Sequence, residues 1–161
     1  MREKAREGNG MAFSYDLFDR ITNRIVTVLE TAPELSEGLE FRVGVHKGVR
    51  RMGAEQACVY VFRASVEDWG YWMGEQGTDV KAGWALVCMV RHLGDPEALE
   101  QMVARLAANV GRIMLQHKSD PGYWSVAQLG SSDAVQFRDE KNQSYEMETV
   151  PVVVAFSSSE L

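Results

Sequence analysis

The chain has 161 residues, 45% of them hydrophobic and 25% charged, with a net charge of −6 and a pI of about 5.1. That balance excludes a disordered chain and opposes a phosphate backbone as the main partner, so no specific nucleic-acid binding is expected. No apolar run approaches the ~20 residues of a membrane span. The two cysteines, Cys58 and Cys88, each sit inside an apolar run. They are no secreted disulfide framework, and read as small buried hydrophobes in a reducing compartment.

Residues 1–11, MREKAREGNGM, are charged, are followed by no hydrophobic signal region and read as a flexible tail, with Met11 as a candidate natural start. A helix is predicted over 14–31, with Ser14 as N-cap and Asp16 in the first turn. Leu17, Phe18, Ile21, Ile25, Val28 and Leu29 form its apolar stripe, and Pro33 ends it. Alternation predicts a half-buried strand over 39–46, with Leu39, Phe41, Val43 and Val45 on one side. ACVYVFRA (57–64) is a second strand, and residues 65–79, with three glycines, Trp69, Tyr71 and Trp72, read as a long loop or hairpin tip. VKAGWALVCMVRH (80–92) is almost continuously apolar, as befits a strand in the middle of a sheet.

The clearest element is the helix after Asp95. Asp95 suits the N-cap, Pro96 the first helical position and Glu97 the positive helix end. Leu99, Met102, Val103, Leu106, Val110, Ile113 and Met114 make its stripe. It ends near His117, where Ser119-Asp120-Pro121-Gly122 breaks it. Residues 122–130 and 134–139 are short strand candidates, and 145–156 is a long last strand. Pro151 removes one of that strand's ladder donors and predicts an edge position or a bulge. Residues 158–161 are a polar tail. The expectation is one α+β domain over 12–157: a two-layer fold in which an N-terminal helix and a long central helix pack on one face of a mainly antiparallel sheet.

Chemistry is sparse. His46, His92 and His117 have no cysteine or carboxylate at a metal-binding spacing and are expected exposed at element ends. No G-x-S-x-G elbow, P-loop or G-x-G-x-x-G occurs. The acidic pairs Glu67-Asp68, Glu75-Asp79 and Asp139-Glu140 read as solvated loops. No catalytic, metal or cofactor-binding residue is expected, and no cofactor.

One charge pattern stands out. Residues 41–54 carry Arg42, His46, Lys47, Arg50 and Arg51 and no acid, whereas 64–80 carry Glu67, Asp68, Glu75 and Asp79 before the next base. A basic segment on one copy is suited to meet an acidic segment on the next, a head-to-tail contact of the kind that closes into rings. Trp69, Tyr71 and Trp72 are candidate anchors for it. The bland alternative is two solvated loops, with the aromatics covering their own subunit's sheet.

The order of elements resembles the tail-terminator or tail-completion proteins of long-tailed bacteriophages. LETAPELSEGL (29–39), ACVYVFRA, VKAGWALVCMVRH, DPEALEQMVARLAANVGRIM (95–114) and residues 134–156 carry the likeness, which spans roughly 12–157 as a pattern and not as a sharp motif. The arginine-rich segment 42–56 and the aromatic segment 66–79 depart from it. The resemblance implies a ring, commonly sixfold, at the head-proximal end of the tail tube. Such a ring stops tube polymerisation and joins the tube to the head connector, so the implied partners are further copies of the chain, the tube protein and a connector or neck protein. It implies assembly in the bacterial host cytoplasm and residence in the virion. A head–tail adaptor of the same fold, or a non-viral small-ligand or peptide-binding module lined by Trp69, Tyr71 and Trp72, are the alternatives.

Overall fold

The computed structural model describes residues 15–48, 55–68, 79–92, 95–130, 133–138 and 144–157. Two helices, α1 (Tyr15–Thr31) and α2 (Pro96–Gln116), and a short 3-10 turn (Pro33–Ser36) accompany six strands: β1 (Val43–Lys47), β2 (Ala57–Asp68), β3 (Asp79–His92), β4 (Val126–Leu129), β5 (Asp133–Arg138) and β6 (Ser144–Ser157). The sheet runs β1-β2-β3-β6, and β4 and β5 both lie along the outer side of β6. Every pairing is antiparallel except β1 with β2, which is parallel. This is the expected α+β architecture, with both helices on one face. α1 lies over β1 and β2, and α2 over β3 and β6.

The apolar stripes explain the layering. All six stripe residues of α1 are buried, as are those of α2 except the partly buried Met102. They meet alternate residues of the strands: Val59 and Val61 of β2, Trp84, Leu86 and Cys88 of β3, and Val150, Val152 and Val154 of β6. Each fully buried aliphatic side chain of this kind stabilises by about 1.5–3 kcal/mol. Asp95 caps α2 by accepting from the Glu97 amide at 3.1 Å, as its sequence suggests. The predicted cap of α1, Ser14, lies outside the described residues.

Where α1 meets the sheet, Phe18, Trp84 and Phe156 meet at tilted and edge-to-face angles with centroids 6.2–6.5 Å apart. The Trp84 indole donates to Thr22 Oγ1 at 2.8 Å, and Thr22 in turn donates to the Phe18 carbonyl. Buried polar atoms are thereby satisfied inside the apolar layer. Farther along α1, Arg24 Nε donates to Asp120 at 2.7 Å, and its guanidinium lies 4.9 Å from the Tyr123 ring centroid. The bond to Asp120 raises the Arg24 pKa against the opposing effect of burial.

Several expectations need correction. The first strand begins at Val43 and not at 39. Leu39 and Phe41 precede it and pack against the core without joining the ladder. The second strand runs on to Asp68, with register shifts between Arg63 and Ser65 and between Val66 and Asp68, so 65–68 is strand and not loop. His46 is not a free element end: its Nε2 lies 2.8 Å from Glu55 Oε1 and it is half-buried.

Pro151 does not mark an edge, since β6 has neighbours on both sides. It lies beside the junction between the two outer strands: β4 pairs up to Leu129↔Val152 and β5 from Asp133↔Thr149. The Gly130 amide donates to the Pro151 carbonyl at 2.8 Å, which places that face of Pro151 toward the outer strand. In an antiparallel ladder the N–H and C=O of one residue point the same way, so the missing proline donor falls where the ladder breaks.

Candidate interface surfaces

Of the residues selected from sequence, Arg42 is exposed just before β1 and Lys47 is exposed at its end. Glu67 and Asp68 close β2, and Asp79 opens β3. Arg50, Arg51, Trp69, Tyr71, Trp72 and Glu75 lie outside the described residues. β1 runs beside only the first five residues of β2. From Ala57, level with Val43, β2 continues to Asp68, about 36 Å away at about 3.3 Å per residue. The basic segment therefore flanks one edge of the sheet, and the ends of the acidic segment sit at the far end of the β2–β3 hairpin.

Part of the basic edge is answered within the chain. Lys47 pairs with Asp19 of α1, and His46 with Glu55. Glu55 fits over Gly44, where a Cβ would come within 2.4 Å of its carboxylate. Arg91 Nη2 donates to the Glu55 carbonyl at 3.0 Å and fixes the same corner. Gly48, at φ 78°, turns the chain out of β1 while its amide donates to Val61 at 2.8 Å, a conformation that favours glycine.

The opposite edge differs. A groove of about 430 Å³ opens between α2 and β4. Ala108, Gly111 and Leu115 wall it on the helix side and Leu129 on the strand side, with Glu148 and Val150 of β6 beneath. Leu115 is 54% exposed, the one large hydrophobic side chain so exposed among the described residues. A Cβ at Gly111 would lie 3.3 Å from the Leu129 side chain, so glycine lets the helix approach β4. Arg112 on the rim reaches Glu37 and Asn109. Asn109 in turn donates to the Leu35 and Glu37 carbonyls and ties α2 to the 3-10 turn. Sequence reasoning missed this groove. Its signal was the exposed run Ala104, Ala108 and Leu115 on a helix whose other exposed positions are charged or glutamine.

Among the described residues no group of three or more His, Cys, Asp or Glu is placed to hold a metal. No helix among them is long and apolar enough to cross a membrane. The cysteines are buried, as their sequence setting suggests. Cys58 pairs with Met89, and Cys88 with Val59, so the two thiols point to opposite faces of adjacent strands. Burial pushes the Cys58 thiol up to about 11 and raises Cys88 as well, which leaves neither as a nucleophile at neutral pH.

The fold has a counterpart in a virus-like particle. The chain is similar to a chain from the "Virion of native gene transfer agent (GTA) particle", with a TM-score of 0.57, 11% sequence identity, and coverage of 88% of this chain and 99% of that one. At that identity the likeness is one of fold. No protein-family model matches the sequence. No curated protein sequence matches it either.

Proposed function

We propose that this protein is a phage-like structural component of a virion, acting as a tail terminator: a ring on the head-proximal end of the tail tube that halts tube growth and receives the head connector. The observation that carries the reading is the fold likeness to a virion chain over 99% of that chain's length. Fold alone does not assign function. The reading is supported further by a sheet whose two edges differ, one basic and one apolar, as head-to-tail closure needs two unlike surfaces on each copy. Assembly would proceed by mass action and surface complementarity in the bacterial host cytoplasm, with the ring kept in the virion. Its partners are further copies of the chain, the tube protein and a connector or neck protein.

The basic segment (Arg42, Lys47, Arg50, Arg51) and the acidic, aromatic segment (Glu67, Asp68, Trp69, Tyr71, Trp72, Glu75, Asp79) belong to the subunit interface in this proposal. Because the basic residues lie beside Ala57–Val61, and even Lys47, level with Val61, is about 23 Å from Asp68 along β2, they serve contacts between copies better than contacts within one. The test is native mass across a concentration series, followed by addition of the protein to polymerising tail-tube subunits. A closed oligomer, with six copies the expected size, and tubes that stop lengthening are the expected results. A monomer at every concentration that leaves tube length unchanged overturns the reading.

A further inference from the structure

We infer that the helix-free face of the sheet docks against the same face of a second copy, the two sheets packing across a two-fold axis near Val87. The inference does not depend on the ring reading and adds a contact of a different kind. It starts from β3, which is apolar on both sides although no described helix covers its second side. Leu86, Cys88 and Val90 are buried against the helices, while Val87 and Met89 are half-buried and stand outside that core. β6 repeats the pattern, with Val152 and Val154 buried and Met147 and Val153 half-buried on the other side. Register joins these residues into one patch: Met89 is level with Met147, and Ala85 with Phe62 of β2. On this face no charged residue of β3 intervenes between Lys81 and Arg91, and none of β6 between Tyr145 and Ala155. A sheet face left to water ordinarily turns polar at such positions, and an apolar one marks a contact.

Three properties select a second copy as the occupant. The first is shape: two sheet faces pack about 10 Å apart with their side chains interdigitated, and the unbranched Met89 and Met147 can adapt to what they meet. The second is charge. The centre of the patch carries none, so a copy turned about a two-fold axis brings no like charges together there. The third is extent. Four strands side by side are about 19 Å wide, and Met147 to Ala155 is about 26 Å long. That gives about 500 Å² on each copy and about 1,000 Å² for the pair, which reaches the size a specific interface requires.

The test uses the full chain and a short bis-maleimide cross-linker. Val87→Cys protein is expected to give a covalent dimer by itself, because a two-fold contact brings a residue close to its own counterpart. Cys58 and Cys88 are buried and stay silent toward maleimide. Equal yield from Leu115→Cys, on the helix layer, would mark random collision and overturn the inference. In sedimentation, Val87→Lys and Val153→Lys are each expected to raise the dissociation constant of the pair more than tenfold with unchanged circular dichroism. Should the lysine variants fail to fold, the cross-link decides. A wild-type oligomer that survives Val87→Lys unchanged, or that gives no cross-link at position 87, overturns the inference and leaves the ring reading standing. A covalent Val87→Cys dimer in a protein that closes no ring upholds the inference and removes the ring reading. A wild-type monomer at all concentrations removes both.

Discussion

The two helices are seated in different ways. α1 is fastened by polar clasps as well as by its stripe: Trp84 to Thr22, Arg24 to Asp120, and Asp19 to Lys47. Each clasp joins α1 to a different element. α2 buries a longer stripe, yet its outer flank beside β4 is alanine, glycine and leucine above an open groove. The contrast teaches where stability and association are separable. Of the side chains that hold α1, Trp84, Thr22 and Asp120 are inward and paired, so their loss is felt by the fold. Side chains on the rim of α2 face out, so their loss should leave the fold intact.

The largest effect should come from the aromatic seat of α1. Trp84→Ala removes a side chain that is 1% exposed together with its hydrogen bond to Thr22, and is expected to cost about 3–5 kcal/mol in a urea titration. A loss under about 1 kcal/mol would mean that the seat collapses around the gap and that the contrast between the helices is false. Next comes the ion pair: Asp120→Ala is expected to cost about 1.5–3 kcal/mol, the range for a hydrogen bond to a charged group. Combining it with Arg24→Met in a double-mutant cycle should show the two losses to be far from additive. Additive losses would show that Arg24 holds α1 through Tyr123 instead.

A smaller lever acts on the sheet that both helices share. Because the folded Cys58 thiol titrates above its ordinary 9.0, the unfolded chain releases that proton first as pH rises. The associated stability is complete below pH 9 and is lost as pH climbs through about 11. Cys58→Ala should therefore flatten the alkaline fall in melting temperature, and an unchanged fall would assign it elsewhere. The smallest effect on the fold belongs to the rim. Leu115→Ser should alter stability by no more than about 0.5 kcal/mol while weakening self-association in sedimentation. Reversing Arg50 and Arg51 together should behave likewise, with the melting curve unmoved and the oligomer loosened. A rim substitution that destabilises the monomer instead would erase the distinction between the two helices.

Much of this was legible in the sequence because periodicity and capping are local. The stripes of α1 and α2, the Asp95 cap and the central place of β3 follow from spacing and residue type alone. Parallel pairing of β1 with β2 was not legible, since nothing in five residues of alternation reports the direction of a neighbour. Pro151 was half legible: the missing donor predicted a bulge or an edge, and the partners of β6 place it instead beside the junction of two outer strands. Asp120 read as part of a helix stop, because its partner Arg24 is far away in sequence. The candidate interface was legible as a sorting of charge. The groove was not, because alanine and glycine on a helix look the same whether they face solvent or a partner.

The placing of β6 also bears on synthesis. This strand is the last element described, yet it carries three partners, β3, β4 and β5, and much of the seat of α2. A chain still emerging from the ribosome holds β3 with one flank unpaired, and β4 and β5 with nothing to pair to. The groove has no floor until Glu148 and Val150 arrive. Ribosomal products that stop early therefore lack one wall of the α2–β4 groove and leave an open sheet edge along β3. Completion of β6 is in this way a condition for closing the sheet.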